Sequence, residues 1–162
     1  MNDSTKHYFS TFKTPAGKFS VAVNAEGSIV ATAFGDKKAL QGRIKGVTLS
    51  PGPSKTAAAR KQVEAWFKGR RQDFSVSLSP AGSPFQKKVW AALVRIPFGR
   101  TTSYGDIARE IGSAPRAVGR ANATNPICLI VPCHRVIGAD GTLTGFAFGE
   151  DVKRKLLAFE AA

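Results

Sequence analysis

The run Ser79-Pro80-Ala81-Gly82-Ser83-Pro84 divides the sequence into halves of different character. Two prolines and a glycine within six residues remove backbone donors and favour turns, so no helix or central strand is expected to cross it. The half before it reads as β-rich. His7–Lys13, Lys18–Asn24 and Ser28–Phe34 hold β-branched or aromatic residues and are separated by Pro15-Ala16-Gly17 and Asn24-Ala25-Glu26-Gly27, the pattern of an antiparallel meander. The Gly/Pro/Ser-containing stretch Gly46–Ser54 leads into a helix predicted over Lys55–Lys68, where Ala59, Val63, Trp66 and Phe67 recur at helical spacing and Gly69 ends the run. Phe74–Leu78 alternates as a half-buried strand does.

After the break the periodicity is helical. Phe85, Val89, Ala92 and Leu93 fall on one face of a helix over Phe85–Arg95, which Pro97-Phe98-Gly99 ends. Thr102-Ser103 can cap a short helix, Tyr104–Ile111, stopped by Gly112. Pro115 suits the first turn of another helix reaching about Ala123. Two short helices around a tight glycine-containing turn have the helix-turn-helix pattern, which helical hairpins unconnected with DNA share. The second helix carries Arg116 and Arg120 among Ala117, Gly119, Ala121 and Ala123, suited equally to close helix packing and to approach to another surface.

At 162 residues the chain is long enough for a real core. Its longest apolar runs fall well short of the roughly 18 residues a membrane span needs, and Met1–His7 lacks the apolar segment of a signal peptide, so an intracellular, cytoplasmic protein is expected. Two cysteines and two histidines give neither a disulfide framework nor a zinc spacing, and no metal or cofactor is expected. The net charge of +13 favours a polyanionic partner, with simple solubility as the alternative. Residues 1–81 hold 13 basic and 5 acidic side chains and residues 82–162 hold 11 and 6, so the excess is no basic tail.

Asn125-Pro126 ends the last of these helices, and Ile127–Val131 is read as an apolar strand delivering Pro132-Cys133-His134-Arg135-Val136. Alone, Cys133 could be a buried thiol and His134 a core histidine. Together they suggest a nucleophile and its base. Neighbours in an extended chain point to opposite sides, so a bridging water is expected between thiol and imidazole. A base that lowers the thiol's effective pKa generates thiolate, the reactive form.

This segment resembles the active-site motif of the O6-alkylguanine-DNA alkyltransferases, the methylated-DNA–protein-cysteine methyltransferase family. The resemblance extends to Pro84-Phe85-Gln86, Ile96-Pro97-Phe98-Gly99, Ser103-Tyr104-Gly105, Arg116-Ala117-Val118-Gly119, Asn125-Pro126 and the Gly141-to-Glu160 tail. It implies an α/β (α+β) fold: a ribonuclease-H-like antiparallel sheet with a helix over 1–78, a linker over 79–84, and a mostly helical domain with a winged-helix-like helix-turn-helix over 85–162. The implied activity is single-use DNA repair by a monomer. The protein enters the minor groove of double-stranded DNA, flips out an alkylated guanine and moves its O6-alkyl group irreversibly to a cysteine. O4-alkylthymine is a further candidate substrate.

Carried over by position, the resemblance makes Cys133 the nucleophile, His134 its base through a water, Glu160 the group that orients His134, and Asn125 the brace of the active-site turn. Without it, Glu160 reads as an exposed acid and Asn125 as an ordinary helix cap. The implied DNA contacts are Tyr104, Gly105, Arg116, Arg120 and Asn122, with Arg116 filling the gap left by the guanine. Tyr104 also lines the implied pocket, with Cys128, Val136, Phe146 and Ala147. Arg135 is expected to pair with acids as scaffold. The chain departs from the pattern at Phe146, usually tyrosine, and Phe148, usually glycine; its inter-helix turn, Gly112-Ser113-Ala114-Pro115, is about two residues shorter than the common form. Two other readings compete: a non-transferring alkyltransferase-like damage sensor, and a helix-turn-helix regulator with a redox-sensing cysteine. For the sensor, Cys133 would remain unmodified on alkylated DNA.

Overall fold

The computed structural model describes residues 6–162; Met1–Thr5, part of the segment that lacks a signal-peptide pattern, lie outside them. The chain divides between Ala81 and Gly82 into two compact units, inside the Ser79–Pro84 run.

The first unit is built on strands β1 (Lys6–Thr14), β2 (Gly17–Val23) and β3 (Ile29–Phe34), each antiparallel to the next. The register places Phe12 opposite Phe19 and Phe19 opposite Phe34. Their rings meet edge to face, with centroids 5.9 and 4.9 Å apart, in a core where Phe19 is fully buried. A fourth strand, β4 (Thr48–Pro51), lies beside β1 in parallel, so the sheet is mixed, in the order β3-β2-β1-β4. It falls inside Gly46–Ser54, the Gly/Pro/Ser-containing stretch that leads into the predicted helix. Four residues ending in a proline carry little strand signal, and proline is tolerated because β4 is an edge. The short helix α1 (Lys37–Gln41), capped by Asp36, also escapes sequence reading, since five residues show no periodicity. Helix α2 (Ala57–Phe67) buries Ala59, Val63, Trp66 and Phe67, the face its spacing predicts. Phe74–Leu78 alternates in exposure but forms no strand. Only Leu78 bridges to Ile29, in parallel, through Ile29 N–H to Ser77 O and Ser79 N–H to Ile29 O, both 2.8 Å.

The second unit is mostly helical. Helix α3 (Pro84–Val94) starts in a capping box between Ser83 and Gln86 with proline in its first turn. Two-residue β5 (Thr102–Ser103) is followed directly by α4 (Tyr104–Ile111), capped by the Ser103 hydroxyl. Gly112 closes α4 at φ +72°, a conformation costly for any residue with a Cβ. Three residues later α5 (Pro115–Ala123) begins. The Trp90 indole donates to Ala121 O at 2.8 Å and ties α3 to α5. β6 (Val136–Ile137) pairs with β5 in parallel, and α6 (Glu150–Ala161) follows. No described helix is long and apolar enough to cross a membrane.

The expected strand over Ile127–Val131 is absent. The segment is a turn in which Val131 N–H returns to Ile127 O at 2.9 Å and Leu129 adopts φ +72°. All five residues are buried, and burial on every side gives a buried coil the same sequence signature as a core strand. Cys133–Arg135 then forms a single 3-10 turn. The premise of an extended Cys-His pair, with side chains on opposite sides, therefore does not hold.

Candidate active site

The polar geometry of the site begins at Asn125. Its side-chain amide donates to Val131 O at 3.0 Å, and its oxygen accepts from Ile127 N–H at 3.0 Å, so one buried residue closes the turn from both ends. Asn122, on the inner face of α5, donates to the carbonyl of Cys133 at 3.3 Å. Cys133 is thereby held at the start of the 3-10 turn, 5% exposed. Asn122 was expected among the DNA contacts. It is 2% exposed, with its side-chain amide on the cysteine turn.

Behind the turn two ionisable groups, His134 and Arg135, share one buried carboxylate. His134 Nε2 lies 2.6 Å from Glu160 Oε2, and Arg135 Nε donates to both Glu160 oxygens at 2.9 and 3.1 Å. Gly99 N–H adds a fourth bond to Oε1 at 3.1 Å. Arg135 is fixed in turn by Ile96 O at 2.7 Å and lies over the Phe98 ring, its guanidinium carbon 5.7 Å from the centroid. The Ile96-Pro97-Phe98-Gly99 bend is therefore a cradle for this cluster.

The electrostatics follow from that arrangement. Burial pushes the Glu160 carboxyl upward, but the bonds from His134 and Arg135 outweigh it and hold the group at about 2. Burial lowers the His134 imidazole below its ordinary 6.5, although Glu160 opposes the shift. His134 is therefore neutral at neutral pH, with one ring nitrogen oriented by a carboxylate, the arrangement of a positioned general base.

Tyr104 is tied to the loop before α6. Tyr104 donates its hydroxyl to Thr144 O at 3.0 Å. Its phenol is raised above 10.0, first by burial and then by charge on Cys133, so it remains a donor at neutral pH. A Cβ on Gly145, at φ +88°, would stand 2.6 Å from that hydroxyl, so the loop's approach to Tyr104 requires glycine. Phe146 and Phe148 meet edge to face with centroids 5.7 Å apart; the second ring buttresses the first, while Ala147 between them is exposed. Cys128 and Val136 are buried. Gly105 is half-buried at the start of α4, and Arg116 and Arg120 project from α5, both exposed.

One residue of this region escapes sequence reading. Lys153 is 0% exposed and donates to Val136 O at 2.6 Å and Thr144 O at 3.4 Å, joining β6 to the loop before α6. Burial lowers its pKa, and negative charge on Cys133 works in the opposite direction. The available signal is spacing: Lys153, Leu156 and Glu160 fall on one face of α6, all buried. Among the described residues no group of three or more His, Cys, Asp or Glu is arranged to hold a metal ion.

Comparison with known proteins gives consistent relationships. Residues 84–162 match the family described as 6-O-methylguanine DNA methyltransferase, DNA binding domain. A methylated-DNA–protein-cysteine methyltransferase of Methanosarcina acetivorans is 44% identical over 157 residues, covering 96% of this chain and 99% of that protein. The crystal structure of Mycobacterium tuberculosis O6-methylguanine methyltransferase superposes with a TM-score of 0.84 at 40% identity, over 96% of this chain and 93% of that one. The Mycobacterium tuberculosis OGT structure in complex with DNA gives the same TM-score and identity, over 95% and 92%.

Proposed function

The chain belongs to the methylated-DNA–protein-cysteine methyltransferase family, and on that premise we propose that Cys133 is the residue that takes the alkyl group. The protein is a DNA-repair methyltransferase that acts by direct transfer from damaged DNA to itself. The observation that carries the assignment of residues is the buried His134–Glu160 hydrogen bond at 2.6 Å, next in sequence to the buried Cys133.

His134, its Nε2 engaged by Glu160, takes the thiol proton at Nδ1 through a water and passes it to solvent. The Cys133 thiolate attacks the O6-bound alkyl carbon; the new S–C bond forms as the C–O6 bond breaks, and its electron pair leaves with the guanine. Tyr104 exchanges Thr144 O for the guanine edge and donates to the base as negative charge develops there. The product is a thioether, which water does not cleave, so each molecule acts once. The preference for a flipped-out base is geometric, since a buried sulfur cannot reach an atom inside stacked DNA. Arg116 fills the vacated position, Arg120 contacts the backbone, and α5 enters the minor groove. Gly105 lets α4 approach the strand, and Asn122 and Asn125 keep the cysteine turn in place. The protein works as a monomer in the cytoplasm, on DNA.

Incubation with duplex DNA containing O6-methylguanine, followed by intact-mass measurement, tests this reading. A gain of one methyl group is expected. Tight binding without mass gain would overturn transfer in favour of damage sensing, with the Phe146–Phe148 pair closing the pocket.

A further inference from the structure

We propose that the N-terminal unit makes a second, purely electrostatic contact with the phosphodiester backbone of the same DNA, through Lys13, Lys18, Lys37 and Lys38. The inference rests on the DNA-repair reading and adds a surface to it. In the sheet, Lys13 and Lys18 stand directly opposite each other across β1 and β2, both exposed. Like charges in that position repel, and a strand pair gains nothing from them. The next strand continues the row: Gly35 N–H bonds to Lys18 O at 2.8 Å, and the chain runs straight on into Asp36, Lys37 and Lys38. Both of those lysines are also exposed.

The nearby acid does not neutralise the group. The Asp36 carboxylate caps α1, accepting from the backbone N–H groups of Lys38 and Ala39 at 3.1 and 3.4 Å. Among the described residues none of the four lysines pairs with a carboxylate. Lys37 is steadied by an aromatic face, with Nζ 5.3 Å from the Phe9 centroid. Two exposed lysines in repulsive register at the hairpin end of β1 and β2, with two more on α1, one of them over Phe9 four residues further along β1, match an extended polyanion. Duplex DNA is the polyanion that this protein already engages.

The test is duplex affinity as a function of salt for the full chain and for a Lys13→Gln, Lys18→Gln, Lys37→Gln, Lys38→Gln variant. Each lost phosphate contact removes about 0.9 from the slope of log K against log salt, so a fall of about 3 to 4 is expected for the four lysines, with affinity roughly 100-fold or more weaker at low salt. Transfer from free O6-benzylguanine should not change. The corresponding four-arginine variant should retain wild-type affinity and slope, which separates charge from misfolding. Unchanged affinity and slope in the glutamine variant would overturn the proposal. So would lost binding to phosphatidylserine vesicles with DNA binding intact. Failure of the wild-type chain to bind duplex at all would instead overturn the repair reading.

Discussion

Glu160 shows how much chemistry one carboxylate can organise. Its four incoming hydrogen bonds fix the His134 ring, neutralise Arg135 and anchor the Gly99 bend. Replacing it with glutamine leaves a buried guanidinium without a counter-charge, so Glu160→Gln should lose about 3 kcal/mol of stability in urea unfolding. Transfer should slow roughly 100-fold as the base loses its orientation; a variant of wild-type rate would remove Glu160 from the mechanism. The pH dependence has a definite sign. Because the folded His134 titrates below 6.5, the unfolded chain binds the extra proton first, so stability is complete above 6.5 and falls as pH drops through it. Glu160 adds a second loss from its ordinary 4.5 down to about 2. Transfer from a free benzylated guanine should accordingly hold its rate from neutral pH down to 6.5 and decline only in more acid solution. An inflection above 6.5 would contradict the neutral, buried base. Without the family resemblance the sequence leaves Glu160 as an exposed acid, because the partners that bury it lie 25, 26 and 61 residues away.

At the scale of elements, the helices are the legible part. α4 and α5 have the bounds that their caps and glycine stop predict, because those signals are local. The turn that leads to Cys133 is not legible, since nothing in five consecutive apolar residues separates a core strand from a buried coil. Asn125 makes that difference, closing the turn through two bonds that both depend on the folded state. Asn125→Ala would strand a buried N–H and a buried carbonyl, a loss of about 3 kcal/mol. Chemical denaturation checks it: a change under about 0.5 kcal/mol, the size of an ordinary surface substitution, would mean that the turn holds itself. Lys153 belongs to the same scale. Its ammonium ties β6 to the loop before α6, and only the periodicity of α6 hints that a lysine faces inward there.

For the whole molecule, the break at Ser79–Pro84 and the change of periodicity across it are visible in the residues, and the chain divides there. The parallel edge strand β4 is not, because pairing partners 42 residues apart leave no local trace. The proposed duplex recognition by Arg116 and the proposed chemistry at Cys133 are separable, since Arg116 is exposed on α5 while Cys133 is buried. Arg116→Ala should therefore slow repair in duplex roughly 10-fold or more while leaving reaction with free O6-benzylguanine nearly unchanged. Equal losses on both substrates would remove Arg116 from base flipping.

The central claim is that one of two buried cysteines is the acceptor. Its most direct test is intact mass after exposure to O6-methylguanine duplex, compared between Cys133→Ala and Cys128→Ala. The account predicts one added methyl on Cys128→Ala and none on Cys133→Ala. A methyl group on Cys133→Ala would contradict it.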